Sequence, residues 1–113
     1  MCGVVTYSNT SKREFLGIQD ELLLKYGAVS EQVAKAMAES IRKISDVNLS
    51  VSTTGIAGPT GGTKEKPIGL VYIGFSSSNG THVHRFLFSG DRIRIKEETC
   101  SAALKILFEH LTK

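Results

Sequence analysis

A chain of 113 residues, 41% apolar and 22% charged, has the length and composition of one soluble domain, residues 1–113, able to bury roughly 65% of the surface its unfolded form exposes. Its formal charge of +3 comes from scattered basic residues without interleaved aromatics, a pattern that suits a small anionic ligand and gives no case for nucleic acid. Cys2 and Cys100 stand in no Cys-x-x-Cys or Cys/His ligand spacing, and there is no signal peptide or apolar run near the ~20 residues of a membrane span, so the expectation is a cytoplasmic protein with reduced thiols and neither metal site nor disulfide framework.

In chain order, Gly3-Val4-Val5-Thr6-Tyr7 is β-rich and short, as in a buried strand. Ser8-Asn9-Thr10 offers helix-capping chemistry, Lys12 to Leu16 is helix-forming, and Gly17 is a C-terminal stop. Asp20 to Lys25 forms a second short helix closed by Gly27. Ser30 is an N-cap, with Glu31 in the first turn where the helix dipole favours negative charge. Val33, Met37, Ile41 and Ile44, with Ala34 and Ala38 beside them, then recur at helical spacing and predict an amphipathic helix over 31–44.

A strand is expected over 48–53 and another over 69–75. Ser78-Asn79-Gly80 is a hairpin signal. His82 to Phe88 alternates, with Val83, Phe86 and Phe88 apolar, and should pair antiparallel with the preceding strand. Gly90-Asp91 caps a last helix over 92–111, with Ile95, Ala102, Ile106 and Leu107 facing inward. This order predicts an α/β layered domain with a mixed sheet, one that looks short of strands.

Between the second and third of these strands lies Thr53-Thr54-Gly55-Ile56-Ala57-Gly58-Pro59-Thr60-Gly61-Gly62-Thr63, four of its eleven residues glycine and four threonine. Such a loop leaves backbone N–H groups uncovered, and these can converge on an anion or a developing oxyanion.

Four segments, in order and at matching spacing, resemble the C-terminal domain of the competence/damage-inducible protein CinA, a domain that also stands alone as nicotinamide mononucleotide deamidase. They are Gly3-Val4-Val5-Thr6-Tyr7-Ser8-Asn9 with Lys12, Tyr26-Gly27-Ala28-Val29-Ser30, Thr54-Gly55-Ile56-Ala57-Gly58-Pro59 with Gly61-Gly62-Thr63, Lys66-Pro67 and Gly69, and Gly90-Asp91-Arg92. The resemblance implies a three-layer α/β/α domain, an oligomer, and a metal- and cofactor-free amidase of pyridine nucleotide salvage that converts nicotinamide mononucleotide and water to nicotinate mononucleotide and ammonia. The family's nucleophile lies in a Ser-x-Thr-Gly-Gly motif that these 113 residues do not contain. The expectation is therefore a family domain without its first strand and helix, inactive or incomplete as this chain alone, with an uncovered apolar sheet edge or face that makes it either dimerise or dissolve poorly.

Serine-based amide hydrolysis needs a base, oxyanion donors and groups that hold the substrate. Lys12 matches the family's lysine base, at a helix start where the positive dipole end lowers its pKa. Tyr7 is placed to relay a proton or orient Lys12, or to sit at the core's edge; Asn9 orients substrate or caps the helix. Thr54 and the N–H groups around Gly55, Ala57 and Gly58 are candidates for the oxyanion or phosphate cradle. Arg92 is a bidentate phosphate donor or a surface ion-pair partner. Lys64 and Lys66 steer an anion or are solvated. His82 and His84 share a strand face but have no neighbouring Asp, Glu or Cys to complete a metal site, and His110 is a helix-dipole partner. The competing reading is a non-catalytic module derived from the same family that binds a nucleotide or a protein.

Overall fold

Helical periodicity of apolar residues between 20 and 45, and again after 91, sets two helical layers, and the strand-forming runs between them supply the sheet. The computed structural model describes residues 20–27, 29–45, 48–56, 58 and 62–111. The strand expected at residues 3–7 and the helix expected at 12–16 lie outside them. Among the described residues the elements are α1 (Asp20–Tyr26), α2 (Glu31–Ser45), β1 (Leu49–Gly55), β2 (Leu70–Ser77), β3 (Gly80–Leu87) and α3 (Arg92–Leu111).

Local chemistry sets the helix ends. Gly27, at φ 79°, takes the left-handed conformation that stops α1, and its N–H donates to the Leu23 carbonyl at 2.9 Å. The Ser30 hydroxyl accepts from the Val33 N–H at 3.3 Å and donates to the Gly27 carbonyl at 2.9 Å, so one side chain both caps α2 and fixes the turn before it. Asp91 caps α3 by accepting the Arg94 N–H at 2.8 Å.

The three described strands form an antiparallel sheet in the order β1-β2-β3. Register pairs Val51 with Phe75 and Phe75 with His82, and places Ser52, Gly74 and Val83 in line on the opposite face. Helix α2 covers that second face and α3 covers the first, giving a three-layer α/β/α domain.

The two interfaces differ chemically. On the α3 side Val71, Ile73 and Ile95 are buried, and Val51, Phe86, Phe88, Ala102, Ala103 and Ile106 pack around them. Phe86 and Phe88 stack with centroids 5.3 Å apart, and Phe75 meets the His110 ring at 4.4 Å. On the α2 side the buried residues of β1 are Ser50, Ser52 and Thr54. The Ser52 hydroxyl donates to the Ala34 carbonyl at 2.6 Å, and Ser50 donates to that of Ala38. Small residues are required because the helix lies so close: a Cβ on Gly74 would stand 2.5 Å from the Ala34 oxygen and 2.7 Å from Ser52 Oγ. The apolar residues of α2 instead divide, with Ala34 and Ala38 against the sheet while Val33 and Met37 pack on Leu23 of α1.

Two expectations of the alternation change. Val83 lies on the α2 face, opposite to Phe86, because it is three residues away and side chains alternate along a strand. Strand β1 runs to Gly55, two residues past the expected end, since Thr54 and Gly55 still pair with Tyr72 and Val71.

Candidate functional site

The Gly/Thr loop leaves β1 at Gly55 and returns into β2 at Leu70. Its mouth is closed by backbone bonds from Ile56 N to the Leu70 carbonyl at 3.0 Å and from Gly69 N to the Ile56 carbonyl at 2.7 Å. Gly69, at φ 96°, accepts from the Phe88 N–H at 2.9 Å, so the loop's end is pinned to the chain leaving β3. A Cβ at this position would lie 1.9 Å from the Phe88 oxygen, which makes glycine obligatory. Further along, Thr63 and Lys66 close a tight turn: Thr63 N donates to the Lys66 carbonyl at 2.8 Å, and Lys66 N to Thr63 Oγ1 at 3.0 Å.

Two basic side chains tie this loop to the two helical layers. Lys66 Nζ donates to the Tyr26 carbonyl at the C-terminus of α1, where unsatisfied carbonyls and the negative end of the helix dipole favour a cation. Arg92, the first residue of α3, donates from Nη1 to the Gly58 carbonyl at 3.0 Å. Three segments far apart in sequence, 26–30, 54–69 and 90–92, thus meet at one end of the sheet.

Thr54 is buried on the α2 face and paired in register with Tyr72. Gly58 is buried, while Gly55 and Arg92 are exposed beside it. The bond to Gly58 engages one edge of a guanidinium able to fork to two acceptors. Lys12, Tyr7, Asn9 and Ala57 lie outside the described residues. Lys64 is exposed. Lys66 is half-buried with its ammonium on Tyr26, a structural anchor that sequence reading missed because its carbonyl partner lies 40 residues away.

Packing explains part of the loop's glycine content. Added Cβ atoms at Gly58 and Gly62 would come within 2.9 and 2.7 Å of the Ile68 side chain, and one at Gly55 within 2.7 Å of Val71 Cγ2. The Ile68 side chain, itself 39% exposed, lies against Gly58 and Gly62, and these glycines leave it room.

The nearest approach to a Ser-x-Thr-Gly pattern, Ser52-Thr53-Thr54-Gly55, does not present a nucleophile. Its serine hydroxyl is buried and donates to the Ala34 carbonyl. His82 and His84 are exposed on β3, and among the described residues no group of three His, Cys, Asp or Glu side chains is placed to hold a metal. Cys100 is a free, exposed thiol on α3. No described helix is long and apolar enough to cross a membrane.

The architecture defines a class: a three-layer α/β/α domain whose Gly/Thr loop is held between its two helical layers by an arginine and a lysine. The chain belongs to the CinA C-terminal domain family, whose profile matches residues 1–111. It is 50% identical over 109 residues to a putative competence-damage inducible protein of Thermoanaerobacter pseudethanolicus, covering 96% of this chain and 26% of that protein. It is 51% identical over 104 residues to a CinA-like protein of Endomicrobium trichonymphae, covering 92% of this chain and 24% of that one. The chain thus spans about a quarter of the length of these relatives.

Among solved structures, the competence-damaged protein (CinA) superfamily protein of Enterobacter cloacae superposes with a TM-score of 0.91 at 36% identity, over 96% of this chain and 64% of that one. The competence/damage inducible protein CihA of Agrobacterium tumefaciens gives 0.89 at 40% identity, over 92% and 64%.

Proposed function

We propose that this domain carries the nucleotide-holding part of an amide-hydrolysing site for nicotinamide mononucleotide, and that these 113 residues bind that nucleotide with little or no turnover. The observation that supports this is the meeting of the 26–30, 54–69 and 90–92 segments through Lys66–Tyr26 and Arg92–Gly58. These are three of the four segments in which the sequence resembles nicotinamide mononucleotide deamidases.

In this reading the outer edge of the Arg92 guanidinium takes the phosphate, and loop amides near Gly55 and Gly58 face the carboxamide or its oxyanion. Lys12 serves as base and Tyr7 orients it, with Asn9 and Ala57 on the substrate's side. The low expected turnover follows from the absence of a Ser-x-Thr-Gly-Gly sequence in these residues and from the burial of Ser52. In this reading the domain is cytoplasmic, and the hydrolysis uses neither metal nor cofactor. The domain acts as a homo-oligomer.

Isothermal calorimetry with nicotinamide and nicotinate mononucleotides, run beside an ammonia-release assay, tests the reading. Binding of either nucleotide with negligible ammonia release is the expected result. No binding at millimolar nucleotide overturns it, and ammonia release near the rate of an intact deamidase overturns the claim of low turnover.

A further inference from the structure

Ile68 is an apolar side chain held in one place and left partly bare. The backbone around it is fixed on both sides. Gly69 N donates to the Ile56 carbonyl at 2.7 Å, Leu70 N donates to the Pro67 carbonyl at 3.1 Å, and Lys66 joins both the Thr63 turn and the Tyr26 carbonyl. Gly58 and Gly62 lie against the Ile68 side chain, and a Cβ on either would stand 2.9 or 2.7 Å from it. Glycines add little apolar surface of their own, so their contact leaves Ile68 exposed rather than walled in by side chains. A fixed apolar surface beside a few polar groups suits a ligand with a flat, weakly polar part.

Gly58 links this surface to the cation of the site. Its carbonyl accepts from Arg92 Nη1 at 3.0 Å, while its Cα faces Ile68 Cγ2. The guanidinium and the Ile68 side chain therefore stand within about 10 Å of each other, the span of Gly58 and its two contacts. In a mononucleotide the phosphate and the ring are joined through one ribose, so a single ligand can engage both.

We propose that Ile68 is a specificity-determining residue of this site, the apolar surface on which the heteroaromatic ring of a mononucleotide lies while Arg92 holds its phosphate. The inference rests on the proposed nucleotide-holding role of the loop and adds to it the place of the ring. Arg92 alone recognises any phosphate. Ile68 supplies the preference for a phosphate that carries a ring. The contact is with the ring face, so the amide and the carboxylate forms share it.

Methyl spectra of the 113-residue chain labelled at isoleucine δ1 test the proposal, with the signal lost in Ile68→Val identifying Ile68. Millimolar nicotinamide mononucleotide is expected to move that signal upfield through the ring current, nicotinate mononucleotide to do the same, and ribose 5-phosphate to leave it in place. In calorimetry Ile68→Ala is expected to weaken nicotinamide mononucleotide about fivefold or more. Amide shifts at residues 56–58 and 92 without movement of the Ile68 methyl overturn this inference and leave the proposed function standing. An equal methyl shift with ribose 5-phosphate, or unchanged affinity in a folded Ile68→Ala protein, also overturns it. A spectrum in which neither nucleotide moves any signal overturns both. The wild-type spectra decide the matter even where Ile68→Ala does not fold.

Discussion

Arg92 and Gly58 are 34 residues apart, yet the Arg92 guanidinium donates from Nη1 to the Gly58 carbonyl at 3.0 Å. This bond fastens the buried bend of the Gly/Thr loop to the first turn of α3, whose own start is fixed by the Asp91 cap. Arg92 thus has a structural partner on one edge and, in the proposed function, a phosphate on the other. The two roles separate by measurement. Arg92→Ala should lower affinity for nicotinamide mononucleotide tenfold or more in calorimetry while lowering folding stability by only about 1 kcal/mol, the usual net worth of one hydrogen bond. Arg92→Lys should retain the charge but not the fork and fall between. Unchanged affinity in both variants would leave Arg92 as a loop fastener alone.

Lys66 fastens the same loop from the other side. Lys66→Met keeps the apolar stem and removes the ammonium from the Tyr26 carbonyl. We expect a loss of about 1 kcal/mol in urea unfolding. Faster amide exchange should be confined to the end of α1 and to residues 62–68. Exchange that rises evenly over the whole domain would argue against a local anchor.

Gly69 combines a φ of 96° with the tightest approach to backbone among the described glycines. Gly69→Ala must strain the backbone and push the Phe88 carbonyl away, at a cost of about 3 kcal/mol or more. Gly80 is a contrast, since its φ is 125° but a Cβ there would meet nothing within 4 Å. Gly80→Ala should cost only the backbone strain of about 1–2 kcal/mol. Equilibrium urea denaturation of the two variants side by side checks the ranking.

The contact of α2 with the sheet is set by Ala34, Ser52 and Gly74. Ser52→Ala loses one hydrogen bond to a carbonyl and should cost about 1 kcal/mol. Gly74→Ala inserts a methyl 2.5 Å from the Ala34 oxygen and should cost about 1–3 kcal/mol, because α2 must move outward. A Gly74→Ala protein as stable as the wild type would show that this face is packed more loosely than its distances imply.

Much of this layout was legible in the residues. Ser30, Gly27 and Asp91 act as the caps their chemistry suggested, and the hairpin turns at Ser78-Asn79-Gly80 as expected. These features are local: the group that satisfies each backbone amide or permits each positive φ lies within about four residues of it. The interior of the Gly/Thr loop was less legible. Its glycines read as a bare anion cradle, whereas three of them also make room for Ile68 or Val71. Serines on the buried face of β1 do not resemble a core, because nothing in their spacing shows a helix carbonyl waiting opposite them.

Among the described residues the sequence by itself determined which segments become helix and strand and where most of them stop, and it determined the family to which the domain belongs, since capping, periodicity and motif spacing act over a few residues. Only the tertiary structure decided that Lys66 is an anchor, that Arg92 reaches Gly58, and that α2 meets the sheet through Ala34, Ser52 and Gly74. Each of these depends on which distant groups the fold brings within about 3–4 Å, the range over which hydrogen bonds and packing act, and no local pattern of residues specifies that.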